Sequence, residues 1–271
     1  MYFSVREPDE AETAVVVEVP HAGLFVDPPA LGTLIAPARA LGRDADLYVD
    51  ELYADAPAEG ATLLVAHVSR YVCDLNRPEE DVDSRAVEGA ASRSAPHGLV
   101  WVKTTDQEPA LERPLPRAEL ERRIDAIYRP YHETLCRLLD RKCTLFGWAV
   151  LLSAHSMPSR GRVGGDPQEA VRADVVPGSR GRSSAAAPVI DAADQLARQR
   201  GWTVAHDRPY RGGYAVGQHG RPAEGRHAVQ VEIVRRLYMD ESTLARKPGE
   251  FEAVRTYCRS LVAHLGGLRL G

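Results

Sequence analysis

The sequence predicts an α/β fold with a mixed, mostly parallel central sheet flanked by helices on both faces. Five short segments rich in β-branched residues are apolar along most of their length, which is typical of strands covered on both sides. Between them lie segments with apolar residues at spacings of three and four, which indicate amphipathic helices. Strands that alternate with helices in this way are typical of parallel sheets.

The predicted strands and helices follow one another along most of the chain. The strands cover residues 14–20, 61–69, 148–154, 202–206 and 228–233. The helices cover residues 44–56, 117–141, 188–200 and 250–265. Pro130 lies inside the second helix, so we expect a kink or a break there, because proline lacks the N–H that a helix interior uses.

One segment departs from this alternation. Residues 156–187 carry five glycines and five arginines, and they form too long a connection for an ordinary loop. No internal repeat stands out, so we expect a single domain over residues 1–271 with this segment as an excursion. As a hypothesis, its arginines attract an acidic substrate.

Length, composition and charge exclude several classes of protein. The chain has 271 residues, of which 44% are apolar and 27% charged, so it can bury a core without disulfide bonds. Its net charge of −4 argues against nucleic-acid binding, which needs a basic surface. No segment resembles a membrane span or a signal peptide, so we expect a cytoplasmic protein. The four cysteines show no CxxC spacing and are expected to be reduced thiols.

The residues that follow the predicted strands are the candidates for a functional site, because ligands bind beyond the carboxyl ends of the strands in an open parallel sheet. The candidates are His21 after the first strand, Arg70, Asn76 and Arg77 after the second, His155 after the third and Glu232 in the last. If the strands are correct, these side chains converge on one edge of the sheet.

These residue types match a hydrolytic zinc site. Two imidazoles and a carboxylate bind zinc with one position left open, and zinc lowers the pKa of water to about 7 and polarises a carbonyl. A separate carboxylate accepts the proton of the water and passes it to the leaving amine, while an arginine stabilises the oxyanion. Taken singly, each residue also has an ordinary reading as a packed histidine, an ion-pair partner or a turn residue.

Seven ordered motifs resemble those of the N-formylglutamate amidohydrolase family over nearly the whole chain. They are PHAG at 20–23, DADLYVDELY at 44–53, SRYVCDLNRP at 69–78, RPYH at 129–132, AHSMP at 154–158, PYRGGY at 209–214 and HAVQVEIVRRLYMDE at 227–241. The family is similar in fold to the zinc carboxypeptidases and aspartoacylases. The resemblance implies hydrolysis of a small N-acylated acidic amino acid, with N-formyl-L-glutamate as the leading substrate and histidine degradation as the pathway.

The resemblance also implies a role for each candidate. His21 and His155 would bind one zinc ion per chain, Glu232 would act as the general base, and Arg70 would polarise the scissile carbonyl. A planar guanidinium binds both oxygens of a carboxylate at once. The substrate carboxylate would be bound by Asn76, Arg77 and Tyr214.

The third zinc ligand is the point where this sequence departs from the carboxypeptidase pattern. Those enzymes place a glutamate three residues after the first histidine, where this sequence has Leu24. The nearest carboxylates are Asp44, Asp46 and Asp50, and the last two would share one face of the predicted helix over 44–56. We take Asp46 as the third ligand and Asp50 as the second choice.

Two alternatives to this function stay open at the level of sequence. The same metal site could act on another N-acyl amino acid or a small peptide, because one methylene changes discrimination by only ~1–3 kcal/mol. A relative that binds a metal or ligand without catalysis is the second alternative. The sequence leaves the oligomeric state open.

Overall fold

The computed structural model describes residues 1–9, 11–91, 94–162 and 169–270 of the chain. Its strands are β1 (Phe3–Arg6), β2 (Val15–Val19), β3 (Thr62–Ala66), β4 (Ala149–Met157), β5 (Arg160–Arg162), β6 (Glu169–Val171), β7 (Val175–Gly178) and β8 (Arg226–Val234). Its helices are α1 (Pro28–Leu31), α2 (Ala38–Asp44), α3 (Val49–Leu52), α4 (Arg117–Arg123), α5 (Arg129–Phe146), α6 (Ala187–Gln199), α7 (Tyr214–His219) and α8 (Pro248–Gly267).

A six-stranded sheet in the order β1-β3-β2-β4-β8-β7 forms the centre of the fold. Strands β2, β4 and β8 are parallel, and β7 runs antiparallel to β8 at one edge. Every residue of β2, β3 and β4 is buried, as expected for strands that are apolar along their length. The predicted α/β fold with a mixed, mostly parallel sheet and flanking helices is confirmed.

The predicted strand over residues 202–206 is wrong. Val204 makes a single parallel bridge to Val175, and no strand of the described chain contains it. The edge position beside β8 is taken by β7, whose residues were predicted to belong to the excursion over 156–187. Local β-propensity does not report which of two apolar segments pairs with the sheet, because pairing depends on tertiary contacts.

The predicted helix over residues 44–56 is also wrong. Helix α2 ends at Asp44 and α3 covers only Val49–Leu52, and Tyr48 directly before α3 has a φ of 68° that a right-handed helix does not allow. Asp46 lies in the connection and Asp50 lies in α3, so the two carboxylates do not share a helix face.

The helix predicted over residues 117–141 is present and longer, and its irregularity lies close to the proline. Helices α4 and α5 are joined by a π-helical turn over Ile124–Tyr128, which ends just before Arg129 and Pro130. Such turns often occur at functional sites. The hydroxyl of Tyr128 at its end donates a hydrogen bond of 2.9 Å to the carbonyl of Arg77.

The excursion over 156–187 contains regular structure in the part that the structure describes. It holds the pair β5–β6 and the sheet strand β7, while residues 163–168 lie outside the described residues. Arg172 and Arg180 donate to the carbonyls of Pro158 and Gly212, and Arg182 forms an ion pair of 2.8 Å with Asp191. The attraction of an acidic substrate by these arginines stays a prediction.

Residue contacts divide the chain into two compact units. The first comprises Met1–Ser4, Pro20–Leu47 and Val65–Cys136, and the second comprises Val5–Val19, Tyr48–Leu64 and Arg137–Gly271. The single domain over residues 1–271 stays a prediction. In the described part of the chain no helix has the length and hydropathy of a transmembrane segment. The four cysteines are free thiols, as predicted.

Candidate active site

The segment after β2 places His21 in the first unit. Its turn requires glycine at position 23, because a Cβ there would lie 2.2 Å from the carbonyl of His67. The backbone N–H of Phe25 donates a hydrogen bond of 2.9 Å to the same carbonyl of His67. Asp46 donates its N–H to the carbonyl of His21 at 2.9 Å, so the backbone brings the two side chains together.

The imidazole of His21 is buried and contacts a carboxylate on each side. Its Nε2 donates a hydrogen bond of 2.7 Å to Oδ1 of Asp74, and its Nδ1 lies 3.6 Å from Oδ2 of Asp46. Burial and the charge of Arg70 lower the pKa of His21, but the two carboxylates outweigh them and the net pKa is raised. The two carboxylates therefore create a negative electrostatic potential around the ring of His21, which favours the binding of a cation.

Asp74 is a residue of the first unit that contacts several of the candidate residues. Its side chain is completely buried and also accepts from Arg70 at 2.9 and 3.2 Å, from Trp101 Nε1 at 3.0 Å and from the backbone N–H of Asn76 at 3.0 Å. Burial raises the pKa of Asp74, but His21 and Arg70 outweigh it and hold the pKa well below its usual range. Asp74 is thus ionised, and its carboxylate fixes the positions of His21, a candidate metal ligand, and of Arg70.

Arg70 contacts Asp74, Trp101 and the carbonyl of Asp44, and its side chain keeps some exposure. It lies over the ring of Trp101 at 4.5 Å and donates to the carbonyl of Asp44 at 3.3 Å, in addition to its contact with Asp74. Its side chain is 15% exposed. A cation that is preorganised in this way can stabilise an oxyanion without reorganising during the reaction.

Asn76 and Arg77 follow Asp74 directly. Asn76 is buried and Arg77 is half-buried. The hydrogen bonds to their backbone, from Asn76 N–H to Asp74 and from Tyr128 to the carbonyl of Arg77, fix this short segment at both ends. Side chains of the same unit therefore hold the backbone of the two residues that were predicted to bind a carboxylate.

Strands β4 and β8 of the second unit carry a buried polar patch. Their register pairs Ser153 with Gln230 and His155 with Glu232, and residues two apart on a strand share a face. The four side chains therefore lie together on one face of the sheet. Ser153 Oγ lies 3.2 Å from Nε2 of His155, and Gln230 donates a hydrogen bond of 2.7 Å to Glu232.

Two further residues of the second unit lie near the ends of these elements. Arg235, which follows β8, is buried and donates from Nε to the hydroxyl of Ser156 at 3.2 Å. Tyr214 is half-buried and begins α7 directly after Gly213. The predicted role of Tyr214 in substrate binding stays a prediction.

His21, Asp46 and His155 form a buried group that could hold a metal ion. Each offers a ligand atom, and these atoms lie within 4.8 Å of one another. Asp44 and Asp50 do not belong to this group in the described chain. The carboxylate of Asp44 instead accepts hydrogen bonds from Tyr71 and Thr105, both at 2.5 Å.

The donor set of this group fits zinc. Two imidazole nitrogens and one carboxylate oxygen are a common set of protein ligands in catalytic zinc sites. Tetrahedral ligands at about 2.0–2.1 Å from zinc lie about 3.3 Å apart, close to the 3.6 Å between His21 Nδ1 and Asp46 Oδ2. The contact of His21 Nε2 with Asp74 is the carboxylate support that ligating histidines usually have.

The sequence profile of the N-formylglutamate amidohydrolase family matches residues 13–239. The chain belongs to this family. The match covers the candidate residues of both units, from His21 to Glu232.

Curated relatives in the family cover most of the chain. The chain is 31% identical over 244 residues to the N-formylglutamate deformylase of Pseudomonas putida, which covers 84% of this chain and 82% of the relative. It is 32% identical over 271 residues to the N-formylglutamate deformylase of Pseudomonas aeruginosa, with 93% and 92% of the two chains covered.

Solved structures show the same fold. The N-formylglutamate amidohydrolase of Ralstonia eutropha superimposes with a TM-score of 0.88 at 31% identity, and 98% of this chain and 97% of that chain are covered. A protein of Agrobacterium tumefaciens superimposes with a TM-score of 0.64 at 21% identity over 96% and 93% of the two chains, which supports the fold alone.

Sequence analysis missed the polar neighbours that support the candidate residues. Gln230 and Ser153 contact Glu232 and His155, and neither was singled out. The signal was present, because a polar residue two positions from a candidate on an apolar strand shares its face. The position of Asp74 between Arg70 and Asn76 gave a weaker signal, since only the fold brings it to His21.

Proposed function

We propose that the protein hydrolyses the formamide bond of N-formyl-L-glutamate to formate and L-glutamate, in a zinc-dependent reaction. The observation that carries this proposal is the buried group of His21, Asp46 and His155, which lies within the part of the chain that the family profile matches. The names of the curated relatives support the choice of substrate.

His21, Asp46 and His155 would hold the zinc ion. When bound, zinc supplies Lewis-acid polarisation of the formyl carbonyl and lowers the pKa of water. The chain contributes the orientation of its ligands, because Asp74 fixes the ring of His21.

Glu232 would act as the general base. Its carboxylate is buried, is paired in register with His155, and is held by the amide of Gln230. It would take a proton from the attacking water as the new C–O bond forms. The same proton would then pass to the amide nitrogen as the C–N bond breaks, which releases formate and L-glutamate.

Arg70 would stabilise the negative charge that develops on the formyl oxygen. Its guanidinium is fixed by Asp74 and Trp101, so it need not reorient when the charge appears. Asn76 and Arg77 would bind the α-carboxylate of the substrate, with help from Tyr214. An arginine next to an asparagine amide offers several N–H donors to two carboxylate oxygens.

Formate release from N-formyl-L-glutamate, coupled to formate dehydrogenase, tests the proposed function. We expect release that stops after chelation and returns with zinc. N-formyl-L-glutamine changes only the side-chain charge and is followed by the same assay. N-acetyl-L-glutamate changes only the acyl group and yields acetate, so its turnover is followed by the release of L-glutamate. Faster turnover of either one would move the assignment to that substrate class, and no turnover of any of them with zinc bound would indicate a binding protein.

A further inference from the structure

Gln230 belongs to the buried polar patch that β4 and β8 share. It is two residues before Glu232 on the same face of the strand, and its register partners are Ser153 on β4 and Gly178 on β7. Its side chain is buried, with a relative exposure of 4%. Burial of a primary amide in an apolar sheet is costly unless its donors and acceptor are used.

The amide of Gln230 makes hydrogen bonds from both of its ends. Its Oε1 accepts the backbone N–H of Gly213 at 2.9 Å, and its Nε2 donates to Oε1 of Glu232 at 2.7 Å. A backbone N–H can only donate and an ionised carboxylate can only accept, so the orientation of the amide is fixed by its two partners. If the amide were flipped, its NH2 group would face the N–H of Gly213 and its oxygen would face the carboxylate of Glu232.

The segment that Gln230 holds is tightly packed. Gly212 has a φ of 97°, and a Cβ at Gly178 on the neighbouring strand would lie 2.6 Å from the nitrogen of Gly212. Arg180 also donates to the carbonyl of Gly212 at 3.2 Å. The N–H of Gly213 is therefore offered to Gln230 from a backbone with little freedom to move, directly before Tyr214.

We propose that Gln230 is a positioning residue that fixes the carboxylate of Glu232 against the segment 212–214. A carboxylate held at one oxygen cannot rotate about its last torsion, so its other oxygen keeps a constant direction. Because this inference rests on Glu232 as the general base of the proposed function, loss of the link is expected to lower kcat rather than substrate binding or zinc binding.

Two substitutions distinguish the contributions of the two hydrogen bonds that the Gln230 amide makes. Gln230→Glu keeps an oxygen that can accept from Gly213 but replaces the amide donor with a second carboxyl group, which would compete with Glu232 for one proton. Gln230→Met removes both hydrogen bonds at similar length. Gln199, exposed on α6, provides the matched controls Gln199→Glu and Gln199→Met. We expect kcat for formate release to fall by about 10- to 100-fold in both Gln230 variants. KM in Gln230→Glu and zinc affinity in both are expected to stay within about twofold.

Hydrogen exchange of the Gly213 amide provides a readout that does not depend on catalysis. Exchange is expected to accelerate at least tenfold in Gln230→Met and to stay slow in Gln230→Glu and in the controls. A kcat within twofold of the unsubstituted chain in both variants would overturn the inference, as would unchanged Gly213 exchange in Gln230→Met.

Failure of the proposed function gives a different pattern from failure of this inference. If the unsubstituted chain releases no formate with zinc bound, the proposed function is rejected together with the effect on kcat. The exchange measurement then still decides whether Gln230 holds Gly213. Gln230→Glu is nearly isosteric, so it tests the link to Glu232 even if Gln230→Met fails to fold.

Discussion

His21 and Asp74 are joined by a hydrogen bond of 2.7 Å between Nε2 and Oδ1, and both side chains are buried. An ionised carboxylate only accepts, so Nε2 carries a proton, and in the neutral ring the lone pair then lies on Nδ1, the atom that faces Asp46. Asp74 therefore selects the tautomer in which His21 can bind a metal on the side of Asp46.

Asp74→Asn is expected to weaken zinc binding by about 10- to 100-fold, because an amide can donate as well as accept and no longer fixes this tautomer. A competition titration with a chromophoric zinc chelator measures the effect. Asp83→Asn is the matched control, since Asp83 is also buried and forms an ion pair with Arg85 in the same unit. Equal zinc affinity in the two variants would contradict the role of Asp74.

Glu232→Gln is expected to lower kcat by about 10²- to 10⁴-fold, because the amide cannot accept the proton of the attacking water. Zinc affinity should stay within about threefold, since Glu232 does not belong to the ligand group. Steady-state formate release and zinc content of the purified variant check both statements. Glu224→Gln, on the exposed surface, is the control, and turnover near the normal rate in Glu232→Gln would exclude its role as the base.

Arg70→Lys is expected to lower kcat by about 100-fold, with a smaller change in KM. Lysine keeps the charge but cannot reproduce the two nitrogen contacts with Asp74 or the stacking on Trp101. Full kinetics of this variant and of Arg113→Lys, whose side chain is exposed, give the comparison. If lysine sustains normal turnover at position 70, a simple charge suffices and the fixed guanidinium is not needed.

Arg77→Met is expected to raise KM for N-formyl-L-glutamate by about 10- to 100-fold, because a charge-assisted hydrogen bond to the substrate is lost. The change in kcat should be smaller, since the residue binds ground state and transition state alike. Initial rates over a wide range of substrate concentrations separate the two constants. An unchanged KM would place the carboxylate of the substrate elsewhere.

Stability is expected to depend on the protonation of His219 at the end of α7. Burial, with the charges of Arg226 and Arg221, lowers its pKa from 6.5 to about 4. Since the unfolded chain then binds a proton more readily than the folded one, stability is lost as the pH falls from about 6.5 to 4, by about 2 kcal/mol at pH 5. Thermal denaturation at pH 7 and pH 5 should show a smaller drop in Tm for His219→Asn. An identical drop in both chains would contradict this account.

The sequence selected the three residues of the candidate metal site, but it did not predict the local structure around Asp46. His21 and His155 were chosen because each follows a predicted apolar strand, and the corresponding strands β2 and β4 are parallel neighbours in the sheet. Asp46 was chosen for a shared helix face with Asp50 that does not exist, because Tyr48 breaks the helix. The backbone hydrogen bond from Asp46 to His21 is a tertiary contact, which no local pattern reports.

The supporting contacts could be predicted only in part. Gln230 lies two residues from Glu232 on an apolar strand, and the period of a strand was enough to place the two on one face. The contact of Asp74 with His21 spans 53 residues, and only the completed fold defines it. The pairing of β7 with β8 at the edge of the sheet is also a tertiary contact, so the sequence did not show that β7, and not the segment over 202–206, would take this position.

A zinc titration of formate release tests the central claim most directly. The metal-free chain is supplied with increasing zinc and assayed on N-formyl-L-glutamate, with bound zinc measured on the same samples. We predict that activity is absent without metal, rises in proportion to bound zinc and reaches its plateau at about one ion per chain, as expected for a single site with three protein ligands. Formate release that is unchanged in the metal-free chain would contradict the account.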